Sequence, residues 1–163
     1  LAGMGYDRGA MTNAADMRDE FELLCGRYGV AAMWAFGSRA AAAAAQMRAG
    51  RGAAAAPGAD AGTPAGSDLD IGLRLAGGGR LDERDRVRLA AALEDLFGAP
   101  RVDLVLLSEA AAFLAVEIIN GELLVDRDPD GTAEHELYVL RRAGDLLPFE
   151  RARRELVLRG GGR

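Results

Sequence analysis

Three short stretches of this chain hold residue types that could do chemistry together. The first is Gly37-Ser38-Arg39, which follows the apolar run Val30 to Phe36 and precedes the alanines from Ala40 to Ala45. A strand that turns into a helix aims free backbone N–H groups and the positive helix end at one point, which suits a phosphate. Gly37 lets the backbone approach closely, Ser38 adds a hydroxyl and Arg39 a fixed charge. The second stretch is Asp68-Leu69-Asp70. Side chains alternate along a strand, so the two carboxylates share a face with Cα atoms ~7 Å apart. Like charges that close are unfavourable unless a cation lies between them. Oxygen-only ligands of this kind suit magnesium, which takes one or two carboxylates plus substrate phosphates. The third is Asp103, set inside the apolar run Val102 to Leu107. A carboxylate there costs free energy unless it is paired, hydrogen-bonded or metal-bound. Each stretch alone is a weak signal. Together they are the parts of a site for two-metal phosphoryl or nucleotidyl transfer.

The elements that must position these residues can be read from periodicity. Met17, Phe21, Leu24 and Tyr28 recur at helical spacing, which predicts a helix over Ala14 to Tyr28, closed by Gly29. Val30 to Phe36 reads as a buried strand, and a helix is expected just after Ser38. Ser67 to Leu75 alternates, with Leu69, Ile71, Leu73 and Leu75 on one face and Asp68, Asp70, Gly72 and Arg74 on the other. Leu81 to Phe97 reads as an amphipathic helix with Asp82 as N-cap and Gly98 as stop. Val102 to Leu107 reads as a strand buried on both faces apart from Asp103. Ser108 is expected to cap a helix that runs to Ile119, with Asn120-Gly121 as its stop, and Glu122 to Val125 reads as a short strand. Thr132 opens a C-terminal helical region through Leu140, which Pro148 interrupts before it resumes over Phe149 to Leu158. The leucines of this region read mostly as core, its arginines as a solvated face, and His135 as a solvated surface residue.

Length and composition bound the rest. The 163 residues suit one domain. The expected organisation is a disordered N-terminal tail (1–13), a single α/β domain (14–158) and a frayed tail (159–163). Residues 50–66, made of Gly, Ala and Pro with Arg51, Asp60 and Thr63, are expected to form a flexible insertion, because so little apolar side chain cannot offset the ordering entropy. One cysteine, Cys25, excludes an internal disulfide, and with one histidine a Cys/His zinc site is excluded too. All 20 cations are arginine, which removes Walker-type phosphate loops and Schiff-base chemistry. A net charge of −5 makes the chain a poor non-specific nucleic-acid binder. No apolar run is long enough to span a membrane, and the N-terminal stretch lacks a signal-peptide pattern, so a cytoplasmic location is expected.

Trp34-Ala35-Phe36-Gly37-Ser38-Arg39-Ala40, then Ser67-Asp68-Leu69-Asp70-Ile71-Gly72-Leu73, then Val102-Asp103-Leu104-Val105 resembles a minimal nucleotidyltransferase domain of the DNA polymerase beta superfamily. More narrowly, with Ile118 to Arg127 added, the chain is similar to the MntA-type adenylyltransferase antitoxins, partners of HEPN-domain (HepT-type) toxins, over about Glu20 to Leu158. The resemblance implies a mixed β-sheet with flanking helices and a nucleotide held by its outer phosphates at Gly37 and Ser38, with Arg39 beside them. It implies two Mg2+ ions, both ligated by Asp68 and Asp70 and the catalytic one completed by Asp103. It implies transfer of AMP from ATP to a tyrosine hydroxyl of a HEPN toxin, in a hetero-oligomer. The chain departs from the family pattern at Ala41 and Ala42, where arginine and glycine are expected, and in the longer stretch between Ser38 and Asp68. Loop closure grows only logarithmically with length, so ~17 extra residues cost ~1 kcal/mol or less. Two alternatives stand beside this reading: a binding-only antitoxin with a degenerate site, and a small-molecule nucleotidyltransferase of the aminoglycoside-modifying kind.

Overall fold

A computed structural model describes residues 14–49 and 68–160. The expected tail 1–13, the insertion 50–66 and residues 161–163 lie outside them. Helix α1 (Ala14–Arg27) leads into strand β1 (Val30–Phe36), a 3-10 turn over Gly37–Arg39 and helix α2 (Ala40–Ala49). Strand β2 (Leu69–Leu75), helix α3 (Glu83–Phe97) and strand β3 (Val102–Leu106) follow. Helix α4 (Ala112–Ile119), strand β4 (Glu122–Asp126) and helix α5 (Pro129–Gly160) complete the chain.

The strands form one mixed sheet in the order β3-β2-β1-β4. β1 is antiparallel to both β2 and β4, while β2 and β3 are parallel and joined through α3. β1 is central, and all seven of its residues are buried. That explains its unbroken apolar run: a strand covered on both faces has no polar side to alternate with. Val30, Met33 and Ala35, with Leu69, Ile71 and Leu73, pack under α1, α2 and α3. Ala32, Trp34 and Phe36 pack against Ile118 of α4 and Val139 of α5. β2 therefore turns its leucine–isoleucine face to the first layer and Asp70, Gly72 and Arg74 to the second. Gly72 makes this second layer possible, because a Cβ there would overlap Ile118 Cγ2. At the head of α3, Asp82 Oδ1 accepts from the Asp85 amide at 2.7 Å, as the sequence predicts.

Several local expectations are corrected. β3 is an edge strand, and Asp103, Leu104 and Val105 are all half-exposed, so it is not buried on both faces. Ser108 does not cap a helix. The amides of Glu109 and Ala110 both donate to the Leu106 carbonyl, making a turn that delays α4 to Ala112. α5 begins at Pro129 rather than Thr132 and runs unbroken past Pro148. Proline there removes one backbone hydrogen bond. That loss is tolerated on an exposed stretch, where water can serve the freed carbonyl. The large apolar residues of α5 are not mostly core: Leu137, Leu140, Leu146, Leu147 and Phe149 are exposed. His135 is half-buried rather than solvated. Its Nε2 is enclosed without a hydrogen-bond partner, and burial, with Arg74 second, pushes its pKa below the usual range. Thr132 is buried and donates its hydroxyl to Asp126 Oδ1, while Arg74 Nη2 reaches Asp128 and Thr132 and so ties β2 to the start of α5. Cys25 is a small buried apolar residue, as its place beside the α1 stripe implies.

Candidate active site

The site lies on the second face of the sheet, where three elements end together. The β1–β2 register sets Phe36 opposite Asp70, and the β2–β3 register sets Asp70 beside Asp103. Paired residues on neighbouring strands point to the same face, and residues two apart on one strand do so as well. Asp68, which immediately precedes β2, and Asp70 and Asp103 therefore crowd one patch. All three are half-exposed.

Gly37 closes the other side. Its φ is +70°, a conformation that favours glycine, and a Cβ on it would lie 2.8 Å from Asp70 Oδ2. The turn Gly37–Arg39 thus rests directly against the Asp70 carboxylate before α2 begins. An open hollow of about 500 Å³ continues from this turn, lined by Gly37, Ser38, Ala41, Glu117, Asn120 and Glu122 among others. Hollows elsewhere on the surface measure about 310 and 560 Å³, so volume does not single this one out. Its lining does, because it sets the helix-entry turn beside the polar side chains of Glu117, Asn120 and Glu122. Ala41 contributes a methyl group to it, where the resemblance leads one to expect the guanidinium of an arginine.

The electrostatics call for a cation. The Asp70 carboxyl is held above its ordinary pKa by burial first, then by the charges of Asp103, Asp68 and Glu117. Arg101, just before β3, answers part of that demand. Its Nη2 lies 2.8 Å from Asp103 Oδ1 and its Nη1 3.8 Å from Asp68 Oδ2. Among the described residues, no three His, Cys, Asp or Glu side chains stand together as a ready cage for a metal ion. The donor chemistry nonetheless fits magnesium: hard carboxylate oxygens, an excess of negative charge, and a guanidinium standing where positive charge is needed. Of the residues singled out in the sequence, Gly37, Ser38, Asp68, Asp70 and Asp103 come to one region, and Arg39 is half-buried in the same turn. Glu117, Asn120 and Arg101 were missed. Glu117 sits one turn from the end of an apolar helix and Arg101 just before a strand, and only tertiary packing brings them here.

No family model and no curated protein matches the sequence. Solved structures do. A toxin–antitoxin structure with AMP-PNP shares 21% identity at a TM-score of 0.59, covering 86% of this chain and 98% of that one. A structure of the toxin–antitoxin MntA-HepT shares 18% at 0.59, covering 87% and 97%. The tri-AMPylated Shewanella oneidensis HEPN toxin in complex with MNT antitoxin shares 18% at 0.60, covering 89% and 98%. This α/β chain with its four-stranded mixed sheet is thus built on a fold found in toxin–antitoxin structures. More narrowly, the fold is shared with chains of the MntA-HepT and MNT-HEPN pairs over nearly their whole length.

Proposed function

We propose that this protein is a magnesium-dependent nucleotidyltransferase that transfers AMP from ATP to a tyrosine hydroxyl of a HEPN-family toxin and so acts as its antitoxin. The observation that carries the reading is the register of β1, β2 and β3, which sets three aspartates beside a glycine-serine helix-entry turn. The likeness to toxin–antitoxin structures, one with AMP-PNP and one with an AMPylated HEPN toxin, supports the nucleotide and the partner.

In this reading the backbone of Gly37 and the hydroxyl of Ser38 hold the outer phosphates at the entry to α2, with Arg39 adding positive charge. Asp68, Asp70 and Asp103 would hold two Mg2+ ions, which would neutralise charge on the leaving pyrophosphate and lower the pKa of the attacking hydroxyl. The acceptor hydroxyl gives up its proton to water, its oxygen bonds to the α-phosphorus, the bond to the pyrophosphate oxygen breaks and pyrophosphate leaves, with no covalent enzyme intermediate. Glu117 and Asn120 line the hollow beside the turn, where they can contact nucleotide or acceptor.

The partner surface is proposed on α5. Among its described side chains none past Ala143 is buried, and Leu146, Leu147 and Phe149 are exposed. The direct test is incubation with [α-32P]ATP, Mg2+ and a HEPN-family toxin. Label on that protein, abolished by EDTA, is the expected result. An unlabelled partner under saturating Mg2+ and ATP contradicts the transfer.

A further inference from the structure

Arg101 pairs with two of the three aspartates, and its place is fixed by the backbone. The Arg101 carbonyl accepts from the Leu69 amide at 2.9 Å, so the first residue of β2 anchors it between Asp68 and Asp103. The next amide, that of Val102, donates to Glu94 Oε1 on α3 at 3.1 Å, which pins the strand entrance from the other side. From that anchor the guanidinium reaches Asp103 at 2.8 Å and Asp68 at 3.8 Å. The side chain itself is 64% exposed, so it can leave the carboxylates by rotating into solvent without disturbing any packing.

We propose that Arg101 is a positioning residue that competes with divalent metal for Asp68 and Asp103, so that metal binds tightly only together with nucleotide. The inference rests on the metal-site reading given above. Its logic is charge and geometry. A guanidinium only donates hydrogen bonds, so it occupies the same carboxylate oxygens that a metal ion needs. Drawn onto Arg101, Asp68 and Asp103 are not turned together with Asp70 as a cage. Exposed ion pairs of this kind are weak, which makes the guanidinium a displaceable occupant rather than a lock. A nucleotide brings its own phosphate oxygens and negative charge. With them a divalent ion gains ligands that Arg101 cannot contest, and the released guanidinium stays beside a newly anionic site.

The test uses Mn2+ as probe, by electron paramagnetic resonance or calorimetry, on wild type, Arg101→Gln and Arg101→Lys. Arg101→Gln is expected to bind Mn2+ alone about three- to tenfold more tightly than wild type. The gap should narrow when AMP-PNP is present, and Arg101→Lys, which keeps the charge, should stay near wild type. Equal or weaker Mn2+ binding by Arg101→Gln, with AMP-PNP binding intact, overturns the competition and leaves the metal site standing. If neither wild type nor Arg101→Gln binds Mn2+ even with AMP-PNP, the metal-site reading itself fails, and the inference with it.

Discussion

Asp70 lies against Gly37 on one side and shares its patch with Asp68, Asp103 and Glu117 on the other. Its pKa is raised in the folded protein, so the folded state holds that proton more tightly than the unfolded chain. Its ionised form therefore costs stability, and the cost is present above the folded pKa and vanishes as pH falls below the unfolded value of about 4. Asp70→Asn is expected to raise Tm at pH 7 by about 2–4 °C, a gain of at most ~1 kcal/mol, with the difference closing near pH 4. Thermal unfolding at the two pH values checks this, and a lower Tm at pH 7 would contradict it. Gly37→Ala is expected to fold but to push Asp70 aside, because the new Cβ has no room beside Oδ2. Loss of AMP-PNP binding with Tm lowered by no more than a few degrees, read by calorimetry, is the predicted outcome. Cys25 is fully buried and its thiol is pushed up to about 12, by burial first and by Glu22 second. Iodoacetamide at pH 8 should leave it unmodified until the protein is denatured. At this scale the sequence made Asp68 and Asp70 legible, since alternation alone puts them on one face. That Asp103 stands next to Asp70 was legible only through the family resemblance, because alternation cannot say which strands pair or in which register. Arg101 and Glu117 carry no local signal at all.

Strands and helices were more legible where burial follows a simple period. β1, β2 and α3 fall where their patterns put them because each buries a defined face or, for β1, both. The pattern misleads at edges. β3 has the apolar run of a central strand, yet it is paired on one side only, and its apolar middle residues lie half-covered. The start of α4 was misread because Ser108 offers a plausible cap, while the turn onto the Leu106 carbonyl competes with it and wins. α4 also depends on a contact that sequence cannot show. Gly72→Ala drives a methyl group into Ile118 and should cost about 1–3 kcal/mol. Ile118→Ala opens a cavity and should cost about 2–5 kcal/mol alone. The double variant should be less destabilised than the two costs combined, by ~1 kcal/mol or more, because each change relieves the other. Denaturant unfolding of the four proteins measures this, and simple additivity would show that α4 does not rest on Gly72. Because α4 carries Glu117, the same overlap should reduce nucleotide binding as well.

The whole molecule combines an acidic domain, net charge −5 over the chain, with a helix of 32 residues that spans about 48 Å. Among the described residues no helix is long and apolar enough to cross a membrane. The outer half of α5 is laced by Glu150, whose carboxylate meets Arg153 at 2.8 Å and Arg154 at 3.1 Å, and it exposes Leu146, Leu147 and Phe149. Sequence periodicity suggested core there because it registers apolar spacing and not what lies opposite. An apolar face with no cover among the described residues suits a surface that another molecule covers. Ending the chain after Ala143 is expected to leave Tm within about 2 °C, since none of the described side chains beyond it is buried, while the HEPN partner no longer co-purifies. A large fall in Tm would show that the outer helix supports the domain instead. The central claim, that the aspartate cluster transfers AMP to that partner, is tested most directly by weighing the partner. A HEPN-family toxin is co-expressed with wild type or with Asp70→Asn and its intact mass is measured. The account predicts a gain of one or more AMP units with wild type, none with Asp70→Asn, and a return of toxicity with the variant. An unmodified partner neutralised equally by both proteins would contradict it.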